Sequence, residues 1–393
     1  MLFDMAEVAV MKVVLPLVGA MAFFLGLMKV AEEAGAMKVI AKLLRPVMVR
    51  LFPEIPPSHP AMSAMILNMS ANALGLGNAA TPFGIRAMEE LDKLNPVKGT
   101  ATNAMCLFLA INTSSVTLLP TGVIAIREAL GSEMSSGILP TTLAATILST
   151  TTAILAAKLY QRLTPAPQVT DPEALAAVEA EVSAVSDETD EAYPLWTSLL
   201  TIGALICLVP LSLTYGELIG IWVVPLLVVG FLTFGVVRGV PVYETFVSGA
   251  KEGWDVAVRI IPFLVTILAM IGMLRGSGAI DDFVGLVGGV TSMVGMPAEA
   301  LPMALLRPLS GSGALGLMMG IMTEHGPDSY IGFLVSTLQG STETTFYVIA
   351  VYFGAVQVQR VRHGLAAALT ADAMGIVGAV AATSLFFTLN GLW

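Results

Sequence analysis

Asn72-Ala73-Leu74-Gly75-Leu76-Gly77-Asn78, followed closely by Thr81-Pro82, interrupts a stretch that is otherwise apolar from Pro60 to Leu91. Two half-length helices meeting at a Gly/Asn break predict a re-entrant hairpin. Backbone freed from a helix at membrane depth is tolerated only where protein or a polar cavity surrounds it. Upstream, Met11 to Lys29 reads as a span. Ala36 to Leu51 carries Lys38, Lys42, Arg45 and Arg50 among apolar residues at helical spacing, which predicts a helix lying on the membrane surface. Downstream, Thr100 to Ala129 is long enough to cross but holds Asn112-Thr113-Ser114-Ser115 at its centre and Pro120 soon after, which predicts an interrupted helix. Ile138 to Tyr160 then spans again.

The rest of the chain supports a membrane setting. Its 393 residues are 56% hydrophobic and 12% charged, with a mean hydropathy of +0.83, whereas a soluble domain is about a quarter charged. Cys106 and Cys207 sit in apolar runs, and His59, His325 and His363 lie far apart, so neither a disulfide framework nor a metal-ligand spacing emerges. A formal net charge of −10 opposes a nucleic-acid partner. The N-terminus has no basic n-region, which predicts no cleaved signal peptide. There is no Gly-x-x-x-x-Gly-Lys-Ser/Thr loop and no nucleophile–base pair at depth. The expectation is therefore neither an ATP-driven pump nor an enzyme, with no resident cofactor or metal.

Residues 164–193 form an acidic linker. The segment opens with Pro165 and Pro167, gathers Glu173, Glu179, Glu181 and Glu188 among other carboxylates, and predicts one short helix around Pro172 to Val185. It separates a first unit, residues 1–163, from residues 194–393. The latter begin with two ordinary spans, Leu195 to Leu213 and Leu218 to Val237. An amphipathic piece from Val242 to Val258, a span from Ile260 to Leu274 and a surface segment follow. Next come a broken region with Arg307-Pro308-Leu309-Ser310-Gly311-Ser312-Gly313 and an interrupted span around Gln339-Gly340-Ser341-Thr342-Glu343-Thr344-Thr345. The last span runs from Leu365 to Leu389.

The two units match in order, and Ala73-Leu74-Gly75-Leu76 recurs as Ala314-Leu315-Gly316-Leu317. Short apolar words recur by chance; span, surface helix, broken hairpin and broken span in one order point to duplication. Three crossings per unit plus two extra spans start the second unit an odd number of crossings after the first, so the repeats are inverted. With both termini outside, most Lys and Arg fall on the cytoplasmic side, as the positive-inside rule requires. The predicted fold is an all-α polytopic membrane protein with inverted repeats and two extra spans before the second.

Residues Asn68 to Pro82 with Ile111-Asn112-Thr113-Ser114-Ser115 resemble spore maturation protein A. Arg307 to Gly313, Gly326-Pro327-Asp328-Ser329 and Gln339 to Tyr347 resemble spore maturation protein B. The chain thus resembles a fusion of the two, within the nucleoside-recognition (gate) superfamily. The resemblance implies kinship with concentrative nucleoside transporters, whose fold has inverted repeats, re-entrant hairpins and interrupted helices, and which assemble as oligomers. It places the chain in the bacterial cytoplasmic (inner) membrane. It names no solute, because relatives serve spore-core dehydration, dipicolinate movement and iron uptake, and fold alone gives no substrate.

Polar side chains at membrane depth are costly and face a cavity or a partner. Glu343, flanked by Ser341, Thr342 and Thr344, is the leading candidate to bind a coupling sodium ion or proton, with Asp372 in the last span as its companion. The bland alternative is hydrogen bonding that locks the break. Asn112, Thr113, Ser114 and Ser115 are the first unit's counterpart, as ligands for a small polar solute or as caps of their own helix. Asn68, Ser70, Asn72 and Asn78 line the first hairpin; Arg307, Ser310 and Ser312 line the second. Arg307 either attracts an anionic solute or snorkels to the surface. Glu324, His325 and Asp328 read as a gate or proton site or, the favoured reading, as an extracellular turn capped by Asp328 after Pro327, and Glu89 and Glu90 as a solvated helix end. Two functions fit: a cation- or proton-coupled secondary transporter of a small polar or anionic solute, or a non-transporting membrane scaffold for envelope or spore-maturation partners.

Overall fold

The computed structural model describes residues 10–11, 15–165, 172–184, 194–279, 282, 285–286, 289, 291 and 295–393. Among these no strand forms, and an isolated bridge joins Thr100 to Arg360. The first helix, α1 (Leu15–Glu33), is separated from α2 (Ala36–Leu51) by a turn in which Gly35 adopts φ 93°. The bounds of α2 are those of the basic amphipathic segment. The helix α3 (Pro60–Ala73) starts from an N-cap at His59, with Pro60 in its first turn where a missing N–H costs nothing.

After a turn at Leu74–Leu76 comes α4 (Gly77–Lys93), which packs back on α3. Gly75 holds φ 75°, and a side chain there would collide with the Leu119 carbonyl. The predicted interruption separates α5 (Asn103–Thr113) from α6 (Thr121–Ala129), and α7 (Ile138–Leu163) follows. The linker's helix is α8 (Pro172–Ala184); residues 166–171 and 185–193 of the linker lie outside the described residues. The two extra helices are α9 (Leu195–Thr214) and α10 (Gly216–Val237).

One expectation is corrected here. The amphipathic piece and the following span are not separate but form one 35-residue helix, α11 (Val242–Gly276), with Pro262 inside it. Its length, roughly 50 Å at 1.5 Å per residue, is held by close packing on α1. A Cβ at Gly253 would come within 2.6 Å of the Ala22 nitrogen, and one at Gly249 within 2.6 Å of the Leu25 carbonyl oxygen. The surface segment after α11 lies largely outside the described residues. A short α12 (Leu301–Leu306), α13 (Gly311–His325), α14 (Tyr330–Ser341), α15 (Thr345–Ala355) and α16 (Gly364–Asn390) complete the chain. Among the described residues, Ser135–Leu163 and Gly364–Asn390 are long and apolar enough to cross a membrane.

Early and late parts of the sequence interleave. Besides α1 on α11, α7 lies along α16, with Gly375 and Gly378 admitting Ser149 and Ala145. Both apolar clusters mix the two: Ile124 and Ile138 pack with Phe333, Phe386 and Phe387, while Met62, Met65 and Phe108 pack with Phe353 and Val348.

The ends of α16 mark opposite ends of the bundle, because Gly364 rests on Cys106 while Phe387 meets Tyr330 edge-on. At the Gly364 end, Ala101 N donates to Arg360 O (3.0 Å) and Arg362 donates to Ala101 O (3.0 Å) and Asn103 Oδ1 (2.9 Å). At the Phe387 end, Arg127 donates to Pro327 O (2.6 Å) and Asp328 Oδ1 (2.8 Å). Arg127, in the last turn of α6, thus reaches the start of α14, and Arg362, beyond α15, reaches the start of α5.

Candidate functional site

Four irregular segments meet between these ends: the turn between α3 and α4, the segment between α12 and α13, and the interruptions of α5–α6 and α14–α15. Leu118 N donates to Ala73 O (2.9 Å), joining the first turn to the first interruption. Phe346 N donates to Pro308 O (3.1 Å), joining the second segment to the second interruption. The interruptions touch directly, since Glu343 N donates to Thr113 O (2.8 Å). Thr150 of α7 donates to Ser114 O, and Ser149 to Ala371 O (2.8 Å), so α7 and α16 buttress the junction.

One side of the junction is charged. Arg307 is buried, donates to Thr344 Oγ1 (2.9 Å) and to Thr342 O, and lies 3.5 Å from Glu343 Oε2. A cation on the last carbonyls of α14 complements that helix's negative end. The Glu343 side chain is 48% exposed. Asp372 is 3% exposed; its Oδ2 accepts from Thr345 (2.6 Å), while Oδ1 is buried with no hydrogen-bond partner among the described residues. An unpaired carboxylate oxygen out of water is expensive unless a proton or a cation neutralises it.

The other side is neutral. Asn72 Nδ2 donates to Asn112 Oδ1 (3.1 Å), and Asn112 Nδ2 to Phe108 O (3.0 Å). Asn68 Nδ2 donates to Ala80 O (2.8 Å) and to the Tyr352 hydroxyl (3.0 Å). Tyr352, which belongs to α15, stacks on Phe108 and fills the space that Gly84 leaves by having no side chain.

The structure therefore brings together Glu343, Thr342, Thr344, Asp372, Arg307, Asn112, Thr113, Asn72 and Asn68. Several hydroxyls are spent on their own helices: Ser70 on Ile66 O (2.7 Å), Thr113 on Ala110 O (3.0 Å), Ser114 on Ala110 O (2.8 Å) and Ser341 on Leu338 O (3.0 Å). Ser115 is buried at the same interruption. Ser310 N-caps α13 by accepting from Gly313 N (3.1 Å), and Ser312 is exposed beside it. The Asn78 side chain lies outside those described. Arg307 points inward, which corrects the snorkelling alternative: two oxygens at the second interruption hold it.

Asp328 is also corrected. The turn before α14 is capped by Ser329, whose Oγ accepts from Gly332 N (3.0 Å). Asp328 instead receives Arg127, Ser132 (2.5 Å) and the Glu133 amide (2.7 Å). Glu324 and His325 lie 3.7 Å apart on the neighbouring turn. Arg127 and Tyr352 escaped the sequence reading. Both look ordinary locally, and the partners that mark them, Asp328 for Arg127 and Asn68 for Tyr352, are more than half the chain away.

His59, Glu90 and Glu181 converge at the base of the α3–α4 pair. His59 Nδ1 accepts from Ala61 N (3.1 Å), so the neutral ring carries its proton on Nε2, 3.7 Å from Glu181. That nitrogen has no hydrogen-bond partner among the described residues, and carrying the proton it offers no lone pair to a metal ion. Burial pushes the His59 pKa below its ordinary 6.5, against the pull of Glu181 and Glu90.

The fold and junction define a helical membrane protein built around paired helix interruptions. Residues 14–130 match the family model Gate, nucleoside recognition. The chain is 44% identical over 164 residues to spore maturation protein B of Bacillus subtilis (strain 168), covering 42% of this chain and 92% of that protein. It is 47% identical over 139 residues to spore maturation protein A of the same strain, covering 35% of this chain and 71% of that protein. The chain belongs to the spore maturation protein A/B family. The solved structure of CNTnw in an inward-facing substrate-bound state is similar at a TM-score of 0.44 and 17% identity, covering 97% of this chain and 76% of that one.

Proposed function

We propose that this protein is a secondary transporter of a small polar or anionic solute, with one A-like and one B-like unit fused as inverted repeats. The observation that carries the reading is the contact of the two interruptions, Glu343 N to Thr113 O, with a buried arginine and two carboxylates beside it. Broken helices cost backbone hydrogen bonds, and in membrane transporters such breaks house solutes and coupling ions. The two arginine joints support the inverted repeat, since each unit gives an arginine to the start of the other's interrupted helix.

In this mechanism Asp372 holds the coupling proton or sodium ion, because its buried Oδ1 has no hydrogen-bond partner among the described residues. Glu343, half exposed and paired with Arg307, responds to the solute. Asn72 and Asn112 present amide groups to its polar edge. The test is thermal unfolding of the purified full chain with nucleosides, dicarboxylates, amino acids and dipicolinate, each with sodium or potassium at two pH values. Bound ligand raises stability by mass action. One solute is expected to shift the midpoint in an ion- or pH-dependent way. Asp372→Asn should abolish the ion dependence and Glu343→Ala the solute shift. A solute shift unaltered in both variants overturns the assignment.

A second reading, a membrane scaffold, draws on the contact of α8 with the membrane helices through His59 and Glu181. Deleting residues 171–190 separates the two: a scaffold loses partner recovery, while a transporter keeps solute binding.

A further inference from the structure

The helix α15 touches both sides of the junction. Thr345, Val348 and Tyr352 are buried along one of its faces at helical spacing. Its first residue, Thr345, donates to Asp372 Oδ2 (2.6 Å), the carboxylate whose Oδ1 has no hydrogen-bond partner among the described residues. Two turns on, about 10 Å at 1.5 Å per residue, Tyr352 reaches the amides of the first unit. Asn68 Nδ2 donates to the Tyr352 hydroxyl (3.0 Å), and the hydroxyl donates to Asn112 Oδ1 at 3.4 Å.

Backbone carbonyls fix the sense of this chain. Asn68 Nδ2 also donates to Ala80 O (2.8 Å), and Asn112 Nδ2 to Phe108 O (3.0 Å), so turning either amide over would set oxygen against oxygen. With Asn68 donating, the Tyr352 proton has Asn112 Oδ1 as its acceptor. The same Oδ1 receives Asn72 Nδ2 (3.1 Å), just before the turn of the first hairpin. The tyrosine ring has little room to shift. It stacks on Phe108 with centroids 6.1 Å apart, and a Cβ at Gly84 would lie 2.1 Å from its hydroxyl oxygen. Packing this close transmits a displacement rather than absorbing it.

We infer that α15 couples the two sides of the junction, with Tyr352 as the positioning residue that ties the state of Asp372 to the Asn72–Asn112 amide pair. The inference rests on the proposed function, in which Asp372 holds the coupling proton or sodium ion, and adds how that occupancy is felt at the first hairpin. A bare carboxylate and a neutralised one make different demands on the Thr345 hydroxyl. A short helix shifts as a rigid body, so a displacement at Thr345 reaches Tyr352 and, through its hydroxyl, Asn112 and Asn72. Such coupling is reciprocal: whatever binds at the amide pair alters the ion affinity of Asp372 by the same factor.

The test needs no solute. The parent is the full chain carrying C106A/C207S/L76C, which removes both native thiols and puts one at the start of α4. Maleimide labelling of that thiol reads the first hairpin, and thermal unfolding reads ion binding, in sodium against potassium and at pH 8 against pH 6. The part of the sodium or pH dependence that D372N removes is the Asp372 response. In the parent that response should change the labelling rate about fivefold or more. Y352F keeps the ring and its stacking, so it should retain the response of the midpoint and lose that of labelling. G84A, whose methyl must displace the ring, should do the same. V348A loosens the same helix but leaves the hydroxyl, and should keep both responses. A full labelling response in Y352F, none in a parent whose midpoint responds, or its loss in V348A overturns the inference alone. If D372N removes no dependence of the midpoint, the proposed role of Asp372 falls and the inference with it.

Discussion

At one end of the bundle Arg127, fully buried, is wrapped by Asp328, Ser132, Ser336 and two carbonyls, with its guanidinium 4.7 Å from the centre of the Phe333 ring. At the other end Arg362, half-buried, reaches neutral acceptors among the described residues: Ala101 O, Asn103 Oδ1 and, at 3.3 Å, Pro165 O. Arg362 and nearby Gln357 also hold positive φ angles of 49° and 54°, conformations that side-chain-bearing residues adopt at a cost. One joint is thus an ion pair with a fully buried arginine, and the other a set of strained, neutral contacts.

The strongest way to break this comparison is Arg127→Ala. Removing one partner of a buried pair strands the other, and a loss of about 3 kcal/mol is expected, at the low end because Asp328 keeps some solvent. Thermal unfolding in detergent measures it, and adding Asp328→Asn should recover part of the loss. A midpoint unchanged in Arg127→Ala would remove the distinction between the two ends.

Arg362→Ala is expected to cost about 1 kcal/mol or less, as neutral hydrogen bonds do. Its signature is exposure. Cys106 Sγ lies 3.5 Å from Val361 O beside this joint and is buried. In a Cys207→Ser background, which removes the exposed thiol, maleimide labelling of Cys106 should quicken several-fold in Arg362→Ala. It should stay slow in Arg127→Ala if that variant remains folded. Equal rates in both would show that the joints open together.

The smallest effect concerns acidity. His59 has a pKa below its ordinary 6.5 in the folded chain, so the unfolded chain binds the extra proton more readily. The stabilisation from the neutral ring is present above pH 6.5 and fades as pH falls through the folded value. Protonation also removes the Nδ1 acceptor that caps α3. Stability should therefore decline between pH 7.5 and 5.5, and His59→Asn, which keeps a capping oxygen, should flatten the slope.

The interruptions were legible because Asn112 to Ser115 and Ser341 to Thr345 are polar where neighbouring stretches are not, and no packing argument suits them in a continuous span. The bounds of α2 followed from four cations on one apolar helix. Three features were not legible, for one reason: each depends on contacts distant in sequence. The stretch between Val258 and Ile260 read as a boundary, yet one helix packed on α1 through Gly249 and Gly253 runs across it. Asp328 read as a turn cap because Pro327 precedes it, while Ser329 does that work and Arg127 claims the carboxylate. Arg307 read as free to face either way, and only the placement of Thr342 and Thr344 decides its direction.

The pairing of α1 with α11 has a consequence for how the chain is made. Ala22 leaves the ribosome more than half the chain before Gly253, and at ~5–20 residues per second α1 waits on the order of ten seconds or more for its partner. During that interval its glycine-matched face is covered only by lipid or by an insertion factor. The same holds for α7, whose companion α16 lies more than half the chain later. The two units are woven together, so neither can finish assembling before translation of the other is nearly complete.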